Sequence, residues 1–257
     1  MKVTSLALAP LLALYLPLSA WCAEPSARVL IPKGAVILGT DKETLKKLIT
    51  AKDAKPEWYA DEAPATKTET GAFEIDVYEV TNTRYKEIVK DHTFPPNLAA
   101  HPVVNVLWKE ANDFCHAVGG RLPTEAEWVR AARGDTAAVY PWGNEFNPKN
   151  TVYMDSADAG KMKAGSYEAE SSGENELGGT RPAGSFETGK SPFGVYDMAG
   201  NAWEWVDGWY DEAKQLRLLK GGSWVSPSES LRVSTRLPDG GGRKFNDYGF
   251  RCVYNPK

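Results

Sequence analysis

Gly119-Gly120-Arg121-Leu122-Pro123-Thr124-Glu125-Ala126-Glu127-Trp128, Gly194-Val195-Tyr196-Asp197-Met198-Ala199-Gly200-Asn201-Ala202-Trp203-Glu204-Trp205, and Lys220-Gly221-Gly222-Ser223-Trp224 closing on Gly249-Phe250-Arg251-Cys252 decide how this chain folds. The first stretch opens a helix, because Thr124 and Glu127 stand at capping-box spacing. Trp128, Ala131 and Ala132 then form its apolar face, and Gly134 stops it. The second stretch sets two carboxylates, Asp197 and Glu204, around a glycine-bearing turn. In the third, two glycines precede the loop Ser223 to Arg236, which parts the strand candidates Leu218–Gly221 and Tyr248–Val253 and is the natural place for a site.

Working outward, two further helices are predicted. Thr81 caps a run with Tyr85, Ile88 and Val89 on one face, and Ala111, Phe114, Cys115 and Val118 mark another that ends at Gly119-Gly120. Further strands are predicted at Val29–Ile31, Val36–Gly39 and Ala72–Tyr78. Asp53 to Thr70 and Asp155 to Gly179 read as linkers, from their proline, glycine and charge content. Proline and glycine are scattered and the periodic runs are short, so irregular loop makes up much of the fold, with nine tryptophans supplying much of the core.

The first 23 residues open with Lys2 and an apolar run, Leu6 to Leu18, too short to span a bilayer. They read as a cleaved signal peptide (residues 1–23), since Pro10 and Pro17 oppose a core helix. Trp21 before Cys22 is a poor lipoprotein context. Residues 24–257 then form a single domain in a secreted, periplasmic protein, with no later segment apolar enough to cross a membrane. The formal net charge is −4, and Lys2 leaves with the leader, so a mildly acidic surface argues against nucleic acid. Cys115 and Cys252 remain as the pair in an oxidising compartment. A disulfide is the economical reading, against two free thiols. Closing so long a loop contributes about 3–5 kcal/mol in the chain-entropy model.

In their order, and together with Ile31-Pro32-Lys33-Gly34, Tyr78-Glu79-Val80-Thr81-Asn82 and His101-Pro102-Val103-Val104-Asn105-Val106, these motifs make the chain resemble the formylglycine-generating enzyme (sulfatase-modifying factor) family. The resemblance implies an α+β fold of the C-type-lectin-like kind with little regular secondary structure, and it agrees with a Cys115–Cys252 bridge. It also implies calcium at Asp197, Gly200, Ala202 and Glu204, the middle two through backbone carbonyls. This suits the convergence of carboxylate and main-chain oxygens that a hard cation takes. The competing reading has Glu204 and Asn201 only satisfying buried loop amides. A second family calcium site falls on Asn150, Thr151, Asn175 and Leu177, where Asn175 replaces the usual acid and removes a charge.

The family's oxidases bind Cu(I) through two cysteines in the loop that corresponds to Ser223–Arg236, and this chain has none there. Ser226 and Ser230 are poor substitutes for soft thiolates, so neither copper nor formylglycine formation is expected. The iron-binding relatives use a histidine triad, whereas this chain has only His92, His101 and His116. No nucleophile-elbow pattern surrounds the loop serines. Arg232, Arg236 and Arg251 are expected to pair with Glu204 or Asp247 rather than to form an anion pocket. Ser223, Trp224, Ser226, Ser230 and Arg236 line the candidate pocket. The leading reading is a calcium-stabilised binding or accessory module for a protein or peptide. The alternatives are an enzyme of different chemistry on the same scaffold, then a formylglycine-generating oxidase. A deep pocket with a buried, shifted Glu229 or Asp247 would favour the enzyme.

Overall fold

A computed structural model describes residues 27–49, 56–155 and 179–256; the leader and Cys22 fall outside them. Three small sheets carry the chain. Strands β1 (Arg28–Ile31), β4 (Phe73–Asp76) and β9 (Val253–Tyr254) form an antiparallel sheet in the order β1-β4-β9. Its register brings Ile31 opposite Phe73 and Ile75 opposite Val253, so β-branched and aromatic residues cover one buried face. Strands β2 (Gly34–Leu38) and β3 (Thr66–Thr70) pair antiparallel. The third sheet runs β7-β6-β5-β8, built from β5 (Trp203–Asp211), β6 (Leu216–Lys220), β7 (Leu237–Asp239) and β8 (Tyr248–Gly249), with β8 parallel to β5.

The described residues form four α-helices. Helix α1 (Lys42–Leu48) starts at Asp41, whose carboxylate accepts from the Glu43 and Thr44 amides. Helix α2 (Asn82–Ile88) is capped by Thr81 as expected. Helix α3 (Trp108–Ala117) carries Cys115 inward, and Cys115 is bonded to Cys252 with 5.5 Å between Cα atoms. Helix α4 (Glu125–Arg133) has the full capping box, with Thr124 Oγ1 accepting from the Glu127 amide and Glu127 Oε2 from the Thr124 amide.

The core forms around Trp128 and Trp205, both fully buried. Its firmest polar element is an ion pair. Arg251 Nη2 donates to Glu204 Oε1 at 2.6 Å and Nε to Oε2 at 2.8 Å, with neither side chain more than 1% exposed. Trp128 Nε1 from α4 donates to the same Oε2 at 2.8 Å, and Arg251 also reaches the backbone carbonyls of Tyr196, Val77 and Asp76.

Several expectations need correction. Asp53–Thr70 is not a linker: a 3₁₀ segment, Pro56–Glu62, buries Glu62, and Thr66–Thr70 forms β3 against β2. Ile88 faces solvent at 41% exposure, because α2 ends there and its inward positions are Asn82, Arg84 and Tyr85. Tyr248–Val253 is two short strands parted at Phe250–Cys252, where Arg251 turns inward. Strand β5 was not foreseen in the Asp197–Trp205 motif.

Removing one partner of a buried pair leaves the other charged and unsolvated, which costs about 3–5 kcal/mol. Arg251→Leu is therefore expected to lose about that much in urea unfolding, and Glu204→Met with Arg251→Leu together to regain part of it. A double variant less stable than the single one would show that the pair is not the constraint described.

Candidate functional site

Three features meet around the loop after Gly222. The first is the acid turn. Asp197 and Asn201 take left-handed backbone angles, φ 57° and 64°, and Gly200 between them has φ 82°. A side chain at Gly200 would collide with Thr151 Oγ1 and the Val152 carbonyl, so glycine is required there. Thr151 Oγ1 in turn donates to the Ala199 carbonyl, bringing one predicted ligand of the second calcium site onto the first. Its neighbour Asn150 accepts from Thr188 Oγ1, while Asn175 and Leu177 lie outside the described residues.

Glu79, which the sequence reading did not assign to a site, completes this turn. It is fully buried, and its carboxylate accepts from Asn201 Nδ2 at 2.6 Å and from the Ala202 amide at 3.2 Å. Burial, then the charges of Asp197 and Glu204, hold its carboxyl well above the usual range. Burial likewise pushes Asp197 up to about 6, although Oδ2 accepts from the Gly184 amide. Three carboxylates thus share one guanidinium, Arg251. The available signal was that Glu79 sits in Tyr78-Glu79-Val80-Thr81-Asn82, one of the motifs that carry the resemblance.

These residues fit a hard cation. Among the described residues no three acidic, His or Cys side chains form a metal centre by themselves. The turn adds oxygens of another kind: the buried Gly200 and Ala202 carbonyls accept no hydrogen bond from any described residue. Glu204 Oε2 accepts from Trp128 and Arg251, and Oε1 accepts from Arg251 as well, so Oε1 offers a remaining lone pair as a monodentate donor at most. Asp197, the two carbonyls and Glu204 Oε1 would hold calcium there, with charge neutralisation as its contribution.

The second feature lies inside the loop. Lys220, fully buried, donates to the Thr235 carbonyl at 2.6 Å and fixes the two ends of the loop together. Gly222, φ 77°, lets Leu231 pack directly against the backbone. Ser223 Oγ then donates to Asp247 Oδ2 at 2.8 Å and lies 3.1 Å from Ser226 Oγ, which also accepts from the Ser223 amide. All three residues are buried. Burial pushes Asp247 up to about 6, against the opposing hydrogen bond from Ser223.

The third feature is a cavity of about 380 Å³ on the other side of Trp224, walled by Tyr85, Leu98, Val104 and Asn246 among others. Of the five residues assigned to a pocket, Trp224 alone lines this cavity. Ser223 and Ser226 point into the buried network. Ser230 belongs to the turn Ser228–Leu231, and Arg236 pairs with Glu125 at 2.9 Å and approaches Asp61 at 3.9 Å. Only Arg251 pairs with Glu204 as expected. Arg232 pairs with Glu62 at 2.7 Å, because the segment read as linker passes beneath the loop and supplies both Glu62 and Asp61. His92 and His101 line the cavity without His116, so the three histidines do not gather.

The chain matches the Sulfatase-modifying factor enzyme 1-like domain over residues 19–256, and it belongs to that family. It is 29% identical to a Mus musculus protein named Inactive C-alpha-formylglycine-generating enzyme 2, over a match covering 90% of this chain and 86% of that one. It is 26% identical to the Formylglycine-generating enzyme of Bos taurus, covering 89% and 75%. The structure of PvdO from Pseudomonas aeruginosa superposes with a TM-score of 0.64 at 21% identity, covering 89% of this chain and 94% of that one. The likeness to PvdO is one of fold, and the α+β architecture expected from the sequence is the family's.

Asp247 yields a test of the buried network. Its carboxyl binds a proton more tightly folded than unfolded, so the native state holds more protons between about pH 4 and pH 6 and its stability falls as pH rises through that window. Asp247→Asn removes the ionisation and keeps an acceptor for Ser223. The variant should gain on the wild type across that window, reaching about 2–3 kcal/mol by pH 7.5, in paired urea titrations. A variant less stable than the wild type at pH 7.5 would mean the charged carboxylate is better solvated than its burial indicates.

Proposed function

We propose that this family member is a secreted, periplasmic binding or accessory module for a protein or peptide, stabilised by calcium and without formylglycine-generating activity. The observation that carries the reading is the Ser223–Ser226–Asp247 network. Where the family's oxidases place copper-binding thiolates, this loop holds a serine whose hydroxyl is already engaged inside the protein. Cys115 and Cys252, both fully buried, are joined to each other and offer no thiolate. A relative named inactive, aligned over most of both chains, supports a non-catalytic role. The apolar leader and the disulfide support secretion.

A second reading, an enzyme of different chemistry, is favoured by one observation: Asp247 is buried, raised to about 6 and beside two hydroxyls. Against it, Asp247 is not among the residues lining the cavity, and no histidine accompanies the serines in the network. The binding reading therefore leads.

The purified protein is expected to leave a Cys-x-Pro-x-Arg peptide unconverted, with or without copper, in a mass-read assay controlled by a two-cysteine oxidase of the family. Copper-dependent turnover would restore the oxidase reading.

Calcium is tested separately. A metal that binds only the native state adds about 2.7 kcal/mol at one hundred times its Kd, so chelation should lower the Tm of the wild type and leave that of Asp197→Ala unmoved. A wild-type Tm indifferent to chelator would remove calcium from the reading.

A further inference from the structure

The cavity beside Trp224 has a chemistry of its own. Its volume, about 380 Å³, lies at the small end of ligand pockets, which span roughly 300–1,000 Å³. That is room for one side chain and its flanking groups, and too little for an extended peptide. Tyr85, Leu98 and Val106 are buried beneath it, and Val104 and Phe94 add apolar wall.

Its basic groups are engaged, and Asp91, exposed on the lining, adds a negative charge. Lys244 is paired with Glu110 at 2.7 Å, and His101 Nδ1 is 2.9 Å from Thr180 Oγ1. His92 Nε2 is 2.8 Å from Asn82 Oδ1, and burial, then Lys86, holds its ring below the usual value and so neutral. An anionic ligand therefore meets no unpaired cation among the described lining residues. A sugar would set hydroxyls against the aliphatic wall, where an unpaired polar group is costly.

Two side-chain amides and a phenol of the lining are neutral and unengaged by any described residue. Asn105 Oδ1 is buried without a hydrogen-bond partner, and its residue is held in a left-handed conformation, φ 59°, with its amide donating to the Phe245 carbonyl. No hydrogen bond from a described residue reaches the Asn246 side chain or Tyr85 Oη. A side-chain amide carries one donor group and one acceptor side by side, matching the donor and acceptor that a peptide unit presents. Left-handed non-glycine residues concentrate at ligand sites.

We propose that this cavity binds a single apolar residue of a peptide, an aromatic one by preference, burying its side chain against Tyr85, Leu98 and Val104 while Asn246 and Asn105 hydrogen-bond its flanking amides. The proposal rests on the partner reading above and specifies what that partner presents.

Capped single residues test it on the full mature chain. N-acetyl-phenylalaninamide should saturate in the millimolar range expected of so small a ligand, followed by NMR titration. N-acetyl-leucinamide should bind more weakly, and N-acetyl-glutamic acid amide and N-acetylglucosamine should not saturate at tenfold higher concentration. Asn246→Ala should weaken the phenylalanine probe about tenfold, as should Val104→Trp, which fills the cavity; Ile88→Ser, on the outer face of α2, should leave binding unchanged. If Val104→Trp does not fold, Asn246→Ala decides alone. No saturation, equal affinity for p-cresol lacking amides, binding of N-acetylglucosamine, or an unaltered Asn246→Ala would each overturn the proposal. Failure here with no peptide oxidation leaves the non-oxidase reading standing. Peptide oxidation sinks that reading whatever the capped residues do.

Discussion

The Glu204–Arg251 ion pair is the constraint on which the rest of the structure depends. It joins β5 to the segment between β8 and β9, and the Trp128 indole brings α4 to the same carboxylate. Arg251 closes the arrangement by donating to carbonyls at the end of β4 and in the turn before Asp197. Desolvating two charges is expensive, and the cost is offset only when nearly every donor and acceptor is matched. Here the guanidinium is, with five acceptor contacts from three parts of the chain. A hydrophobic replacement of similar volume could fill the space, but it would not specify which strands meet.

The same pair sets the electrostatics of the acid turn. Burial raises the Asp197 and Glu79 carboxyls, and the one guanidinium, already matched to Glu204, only partly opposes that rise, so three acids stand against a single fixed positive charge. Protonation or a cation relieves that imbalance. The Gly200 and Ala202 carbonyls, which accept from no described residue, would give a cation an advantage a proton does not have, because a proton on a carboxylate leaves those oxygens unsatisfied.

What was legible in the sequence was local or was carried by whole motifs. The capping box at Thr124 and Glu127, the Thr81 cap and the helix stop at Gly119-Gly120 each depend on residues within a turn of one another. The Cys115–Cys252 bridge was legible for a different reason, since reading Cys22 as part of a leader left two cysteines and one intramolecular pairing. Partners chosen across the fold were not legible. Arg232 takes Glu62 from a segment whose composition resembles a linker, Arg236 takes Glu125 from α4, and Glu79 reaches Asn201 from the connection between β4 and α2. Strand β5 was hidden because its residues are buried at Trp203–Val206 and then turn partly outward, with a register shift between Trp205 and Trp209, so neither period runs long enough to read.

Asn201 links the three features physically. Its side chain donates to Glu79 and accepts from the Arg181 amide, while its carbonyl accepts from the Trp224 amide at 3.0 Å. Trp224 then faces the cavity, and the preceding residue, Ser223, faces Asp247. The same one-residue alternation recurs opposite, where Asn246 lines the cavity and Asp247 turns inward, its carbonyl accepting from the Trp203 amide. Two adjacent pairs, Ser223-Trp224 and Asn246-Asp247, therefore form a wall with a cavity on one side and a closed hydroxyl–carboxylate network on the other. The two sides of the wall can accordingly diverge: a chain can lose metal chemistry within the loop and keep a binding surface across it, because the hydrogen bonds that shape the cavity run through Asn201 and the backbone rather than through the side chains at Ser223 and Ser226.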